Sequence, residues 1–445
     1  KIMINNISIN SKTMNKNDIF FAIKGKKKDG NKFAEEALKK RSSLAIVNRI
    51  NKKYSISKQI KVKNTLDFLT QCSSIFRENI NTKIISITGS CGKTTLKEMI
   101  GSTLKKITKT TYSPKSFNNK YGVPLSLFNL KQNDEFGVLE AGMDKKGEID
   151  NLTRIIKPDL GIITNISYAH SKNFKNISQI ANAKAEILNN IKKNGTILLN
   201  MDDDFYNRHK KLALKKKIKV ISFSIKNKLS TSKLVKISKI KNKYELFINV
   251  DNNLVSFYSQ NINKSNLYNI LATLTSINLY IDINKLNKNI FLNTKTPSGR
   301  GDISKIKLKN KNFFLIDESY NSNPLSLKTA IESYDKLQCK NSKKYLILGD
   351  MLELGKHSLK QHRLISKIIN KTKINQVFVK GKFIKETFKG LKENKKARIL
   401  TNNSSIIDLI NKNLNNNDYL MIKGSNSTGL YKISSKLKQR FSHVI

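Results

Sequence analysis

One stretch limits the fold of this chain more than any other: Lys83-Ile84-Ile85-Ser86-Ile87-Thr88-Gly89-Ser90-Cys91-Gly92-Lys93-Thr94-Thr95. Its opening is β-branched and apolar, as a buried parallel strand requires. A glycine-bracketed loop follows, and Leu96-Lys97-Glu98-Met99-Ile100 begins a helix. Strand, glycine loop, Lys-Thr and helix together form a cradle for a nucleoside triphosphate. The glycines let backbone approach the phosphates, while loop N–H groups and the helix N-terminus face the negative charge. Lys93 would reach the terminal phosphates, and the Thr94 hydroxyl would ligate Mg²⁺. The spacing is shorter than the general phosphate loop, because Ile87 stands where that pattern has its first glycine.

A chain of 445 residues predicts about two to four domains. No apolar run reaches the roughly 18 residues that a membrane span needs. The opening Lys1-Ile2-Met3-Ile4-Asn5-Asn6 lacks the apolar core of a secretion signal. Cys72, Cys91 and Cys339 are scattered and odd in number, which predicts no disulfide framework and fits a reducing cytoplasm. The net charge of +52 admits two readings: a nucleic-acid or membrane-surface protein, or compositional drift toward Lys, Asn and Ile. The lysines run along the whole chain without gathering into one arm or helix face, which favours drift. Under such drift, the 19 glycines and five prolines mark places where backbone geometry is required. Gly195, Gly381 and Gly390 read as plain turns.

Residues 1–80 read as a small α/β unit, with strands at Asp18 to Ile23 and Leu44 to Val47 and helices at Asn31 to Lys40 and Asn64 to Arg77. Lys24-Gly25-Lys26-Lys27-Lys28-Asp29-Gly30 reads equally as a diphosphate loop or a solvated turn. Residues 81–297 read as the large nucleotide domain. In it, Phe136-Gly137-Val138-Leu139-Glu140 is a strand ending in a carboxylate, where a second Mg²⁺ ligand belongs. Leu160 to Ile166 is another buried strand, running into His170, a candidate metal ligand. Ile180 to Ile191 reads as one helix bearing Lys184, residues 215–258 as short strands, and Asn263 to Leu279 as a helix. Met201 to Asp204 holds three successive carboxylates, which read better as a strand-end loop than as a metal site. After Pro297-Ser298-Gly299-Arg300-Gly301, residues 298–445 alternate strands and helices. That alternation predicts a Rossmann-like, doubly wound parallel sheet.

Taken together, these motifs resemble the Mur ligases, the ATP-dependent amide-forming enzymes of peptidoglycan synthesis. Thr88 to Thr95 is similar to that family's short phosphate loop, with Cys91 where the family usually has Asn. Phe117-Asn118-Asn119 with Gly122-Val123-Pro124, Thr164-Asn165-Ile166 through His170, and Ala183-Lys184-Ala185-Glu186 carry the resemblance onward. So do Asp317 to Pro324, Gly349 to Gly355 with His362, and Lys423-Gly424-Ser425. Within the family they are most similar to the branch that joins D-alanyl-D-alanine to a UDP-N-acetylmuramoyl-tripeptide.

The resemblance implies an α/β fold of three domains: an N-terminal UDP-substrate domain, a central P-loop-type ATP domain and a C-terminal Rossmann-like ligase domain. It implies ATP and Mg²⁺ as cofactors and an acyl-phosphate intermediate. It implies that Gly89, Ser90, Cys91, Gly92, Lys93, Thr94 and Thr95 hold phosphates. Thr94 and Glu140 would hold one Mg²⁺; His170 would help hold a second. Lys184 matches a lysine that is carbamylated in some members to ligate metal. Lys93, His170 and Lys184 form the implied catalytic set. Asn266, Asn269, Arg300, Asp317, Tyr320 and Asn323 would contact the nucleotide, and Ser11, Asn118 and Asn119 the substrate. Ser11 lies in Asn10-Ser11-Lys12-Thr13, where relatives show Asp-Ser-Arg. The implied protein is a cytoplasmic monomer, with no membrane insertion and no specific nucleic-acid partner. Three alternatives stay open: another Mur-type amino acid ligase, a basic nucleic-acid-binding NTPase, and an inactive relative.

Overall fold

The computed structural model describes residues 6–25, 28–39, 42–294, 296–308, 311–339, 342–402 and 404–443. Lys26 and Lys27 of the lysine-glycine loop lie outside them. Three sheets organise the described residues. The first has four parallel strands, Ile7–Ser8, Ile19–Phe21, Leu44–Val47 and Gln59–Lys61, in sequence order. The helix Thr65–Glu78 that follows is bolted to the next unit. Its buried Arg77 donates to the Ile156 and Lys157 carbonyls and lies 3.3 Å from an Asp159 carboxylate oxygen.

The second sheet has nine strands. From one edge they run Asn253–Ser259, Lys243–Val250, Ser232–Ile240, Lys219–Ser224, Thr196–Asn200, Leu160–Ile163, Lys83–Thr88, Phe136–Glu140 and Thr110–Tyr112. All neighbours from Ser232–Ile240 to Thr110–Tyr112 pair in parallel, and the first three strands form an antiparallel meander. Strand period 2 divides the core. Ile85, Ile87, Leu160, Ile162 and Leu198 pack on the helices Lys93–Leu104 and Lys264–Asn278. Ile84, Ile163, Ile197 and Leu199 face the helices Glu148–Ile156, Ile177–Ala185 and Tyr206–Lys215. The strand Lys83–Thr88 lies between the strands that follow it, one on each side, so the order reverses beside it. In an open α/β sheet that reversal opens a crevice at the carboxyl ends of the strands.

The third sheet has seven strands, in the order Lys396–Ile399, Gln376–Lys380, Lys344–Gly349, Tyr419–Lys423, Lys311–Glu318, Asp302–Leu308 and Ser442–His443. The first five pair in parallel, and Asp302–Leu308 pairs antiparallel with both of its neighbours, Lys311–Glu318 and Ser442–His443.

Several elements depart from the sequence reading. Residues 215–258 hold a longer sheet extension, preceded by the helix Tyr206–Lys215. The expected helix Ile180 to Ile191 is Ile177–Ala185 followed by a 3₁₀ turn, Glu186–Asn189. Asp302–Leu308 is a strand whose Ile306 and Leu308 face the core while lysines alternate outward. The helix Leu430–Phe441 hides its core stripe, Leu430, Ile433 and Leu437, among lysines. Gly381 is more than a turn. Its φ is 145°, and a Cβ there would lie within 2.4 Å of the Asp350 carboxylate, which accepts from the Lys382, Phe383 and Ile384 amides.

His209 makes one consequence of packing measurable. It is 2% exposed on the helix Tyr206–Lys215, with Nε2 3.1 Å from the Ala181 carbonyl. Burial pulls its pKa down to about 4. The unfolded chain titrates near 6.5, so stability is full above that pH. It falls as pH drops toward 4, because only the unfolded state then takes up the proton. The loss by pH 4 is about 3 kcal/mol at 1.36 kcal/mol per pH unit. Urea midpoints of wild type and His209→Gln, compared at pH 7 and pH 4, check this: the variant should lose that share of the acid sensitivity. Equal acid slopes would refute it.

Candidate active site

The carboxyl ends of the second and third sheets face each other across a cleft of about 720 Å³. Its floor is the phosphate loop. Gly89 has φ 144°, and a Cβ there would lie 1.9 Å from Thr164 Oγ1, so only glycine fits. The neighbouring strand end shapes the rest. The Ser90 amide donates to the Asn165 carbonyl and the Cys91 amide to Asn165 Oδ1, while Thr164 Oγ1 and Asn165 Nδ2 donate to the Cys91 carbonyl. Asn165 thus clamps the loop through its side chain.

Two lysine amines converge beneath this loop. Lys93 Nζ donates to the Gly89 carbonyl at 2.8 Å and Lys184 Nζ to the same oxygen at 3.0 Å. Burial holds the Lys93 amine below the usual lysine range. Burial, then the neighbouring Lys93 charge, holds Lys184 well below it. With Lys93 charged and the Lys184 amine beside it, the space at the loop suits a polyanion.

Glu140, at the end of its strand, is 1% exposed. Oε2 accepts from Thr94 Oγ1 at 2.8 Å and Oε1 from Asn118 Nδ2 at 2.7 Å. No ion pair to Glu140 occurs among the described residues, and a buried carboxylate held only by neutral donors calls for a cation. The hydroxyl oxygen and carboxylate also suit a hard, oxygen-seeking ion. The residues therefore fit Mg²⁺. A second group is Asp144, His170 and Glu353, whose ligand atoms lie within 4.8 Å of one another.

The third sheet closes the cleft from above. Arg300 stacks on the Tyr320 ring, 4.5 Å from its centroid, and its Nη2 donates to Ser116 Oγ at 3.3 Å. Ser116 also lies 3.3 Å from Thr94 Oγ1. Asn323 caps the helix Pro324–Lys336 and reaches the loop: Cys91 Sγ donates to its Oδ1 at 3.0 Å. Burial pushes the Cys91 thiol up, so it stays protonated as that bond requires.

Of the residues singled out in the sequence, the cleft gathers Ser90, Cys91, Gly92, Lys93, Thr94, Thr95, Asn118, Glu140, His170, Asn266, Asn269, Arg300, Tyr320 and Asn323. Gly89 and Lys184 lie beneath it. Asp317 is fully buried and pairs with Lys438, away from the cleft. Asn119 accepts from the Tyr121 and Gly122 amides at the start of a helix. Ser11 is buried in the first unit, where its hydroxyl donates to Glu36 at 2.7 Å. Sequence reasoning missed Ser116, Asp144, Lys97 and Glu353 as site residues. Lys97 is fully buried and donates to the Ser113 and Lys115 carbonyls, strapping the loop that carries Ser116 and Asn118. Its one signal was a lysine on an otherwise apolar helix face.

A two-domain nucleotide cleft with a short phosphate loop fits an ATP-dependent ligase, and the chain belongs to the Mur ligase family. Residues 3–77 match "Mur ligase family, catalytic domain", residues 87–277 "Mur ligase middle domain", and residues 305–426 "Mur ligase, glutamate ligase domain". Within the family, the chain is similar to UDP-N-acetylmuramoyl-tripeptide–D-alanyl-D-alanine ligases. One from Buchnera aphidicola of Acyrthosiphon pisum is 33% identical, with 98% of this chain and 94% of the relative covered. Another, from Buchnera aphidicola of Baizongia pistaciae, is 31% identical over 99% and 94%. A solved MurF from Acinetobacter baumannii aligns with a TM-score of 0.85 at 26% identity, over 98% of this chain and 94% of that one.

Proposed function

We propose that this chain is the ATP-dependent ligase that joins D-alanyl-D-alanine to UDP-N-acetylmuramoyl-tripeptide, a step of peptidoglycan precursor and cell-wall synthesis. The observation that carries the reading is the pairing of Lys93 and Lys184 under the phosphate loop with a buried, cation-seeking Glu140, closed over by Arg300 from the third sheet. ATP phosphorylates the free carboxylate of the tripeptide, releasing ADP and leaving an acyl phosphate. The dipeptide amine attacks that carbonyl carbon, a C–N bond forms, and inorganic phosphate leaves. Such chemistry requires positioning and charge neutralisation more than a protein nucleophile.

Lys93 and the loop from Gly89 to Thr95 would hold the β- and γ-phosphates, chiefly through the amides from Gly92 onward, since those of Ser90 and Cys91 donate to Asn165, and Arg300 offers its fork to phosphate oxygens. Thr94 and Glu140 would hold Mg²⁺, with Asn118 fixing the Glu140 carboxylate. His170 and Lys184 would serve a second Mg²⁺, and burial, which lowers the Lys184 pKa, favours the neutral amine that carbamylation needs. Mg²⁺ held there would supply positive charge against the phosphate oxygens. Asn266, Asn269, Tyr320 and Asn323 line the nucleoside end, while Asp317 stays buried behind it, paired with Lys438. Residues 1–80 take the UDP moiety, with Ser11 in that unit; residues 81–297 take ATP; residues 298–445 close the site. No helix of the described residues is long and apolar enough to cross a membrane. Nucleotide-linked substrates support a cytoplasmic location, and we assign a monomer.

The test is a product assay. With ATP and Mg²⁺, phosphate release should require both the UDP-linked tripeptide and D-alanyl-D-alanine, and mass spectrometry should find the joined pentapeptide product. Phosphate release without that product would overturn the proposal.

A further inference from the structure

Two non-glycine residues with left-handed backbones meet across the boundary between the second and third sheets. His170 has φ 54° and Glu353 φ 64°. Such conformations are uncommon outside glycine, and strained residues that persist cluster where function holds them. Here the surroundings hold both. The Lys172 amide donates to the Glu353 carbonyl at 2.9 Å, and Ser171 Oγ donates to the Leu354 carbonyl at 3.3 Å. The Tyr168 and His357 rings pack 4.9 Å apart, and His357 Nε2 lies 3.3 Å from the Phe174 carbonyl. The segment that carries His170 is thereby docked along the segment that carries Glu353.

The His170 ring sits in this seam with one edge turned away from the cleft. Nδ1 lies 2.6 Å from Glu353 Oε2 and 2.8 Å from Asp144 Oδ1. It is buried, and although both carboxylate oxygens lie this close, neither meets hydrogen-bond geometry with it; the two carboxylates act together on one ring nitrogen through their charge. The side chain as a whole keeps 25% exposure and lines the cleft, whereas Asp144 and Glu353 do not. The edge that faces the cleft is therefore the one carrying Nε2. A histidine that ligates metal donates its other ring N–H to a carboxylate or carbonyl, which sets its tautomer and ring orientation.

We propose that Glu353, with Asp144, is a positioning residue for His170: the shared carboxylates keep the ring proton on Nδ1 and leave the Nε2 lone pair for the metal. Because Glu353 comes from the third-sheet unit, docking of that unit completes the ligand, so closure of the cleft and metal binding are coupled. The metal half of this statement rests on the ligase reading above; the tautomer half stands on the seam alone.

Two measurements on the full chain separate them. Long-range ¹H–¹⁵N spectra of the nucleotide- and metal-free protein, at a pH where the ring is neutral, report which nitrogen is protonated. The His170 signal is assigned by its loss in His170→Gln. Wild type should show the Nδ1–H form, and the Glu353→Gln/Asp144→Asn double variant should move toward Nε2–H. An Nε2–H ring in wild type, the form needed if Nδ1 itself took a cation beside the two carboxylates, overturns the proposal. In the second measurement, Glu353→Gln should raise the Mg²⁺ concentration for half-maximal ligation by roughly 10–100-fold. KM for ATP at saturating Mg²⁺ and the thermal midpoint should stay near wild type, since Glu353 is 45% exposed. An unchanged Mg²⁺ requirement overturns the coupling. Absence of all ligase turnover in wild type would count against the ligase reading, while the tautomer result would still decide the positioning role.

Discussion

Lys93→Ala should lower ligase turnover by about 10³-fold, near the upper end of what one preorganised donor is worth in a desolvated site. The Lys93 ammonium reaches the Gly89 carbonyl at the base of the phosphate loop, and the Cys91 amide and Asn165 hold that loop in shape without it. The fall should therefore be in kcat more than in KM for ATP. Loop amides still bind the nucleotide, but the charge that builds on the transferring phosphoryl group loses its partner. Lys93→Arg should not restore the rate, because a planar fork cannot replace a compact ammonium at this position. Single-turnover rates with wild-type and variant protein settle the matter. Activity within tenfold of wild type would remove Lys93 from the phosphate site.

The second large effect is expected at Glu140, and it has two opposite signs. Glu140→Gln keeps the side-chain shape and one oxygen acceptor but removes the negative charge. Ligation should fall by roughly 10²–10³-fold, most steeply at low Mg²⁺, because a principal hard ligand is lost. The metal-free protein should become more stable. In wild type the direct partners of this 1% exposed carboxylate are neutral, the Thr94 hydroxyl and the Asn118 amide; the Lys93 charge acts on it without forming an ion pair, and burying a charge without a contacting ion partner is costly. The thermal midpoint of the variant should rise by a few degrees without Mg²⁺, and the gap should close as Mg²⁺ is added to wild type. A variant that is less stable and fully active would contradict both the metal role and the charge argument.

Much of this site could be read along the chain because its parts are local. A phosphate loop is one continuous segment, and its chemistry resides in backbone N–H groups and the next two side chains. The carboxylate at position 140 announced itself by ending an apolar strand. Where geometry comes from two distant segments, the reading thinned. Asp317 stands in a motif that resembles a nucleotide contact, yet its carboxylate turns to Lys438, more than a hundred residues on. Asn119 sits beside Asn118, but one caps a helix while the other reaches Glu140. The strand Asp302–Leu308 and the helix Leu430–Phe441 were hidden by lysines, because a solvent face crowded with one residue type blurs the periodicity that marks the buried face.

By itself, the sequence determined the alternation of strands and helices, the short nucleotide loop and the family to which the chain belongs, since each is carried by contiguous residues or by motifs in a set order. Only the tertiary structure decided which side chains share a site. It placed Lys184 under the loop beside Lys93, brought Arg300 over Ser116, and set Glu353 against His170. The reason is geometric. Strand ends of the two sheets, such as Glu140 in one and Glu318 in the other, lie more than a hundred residues apart in sequence yet point into one cleft, and no spacing along the chain encodes the distance across it.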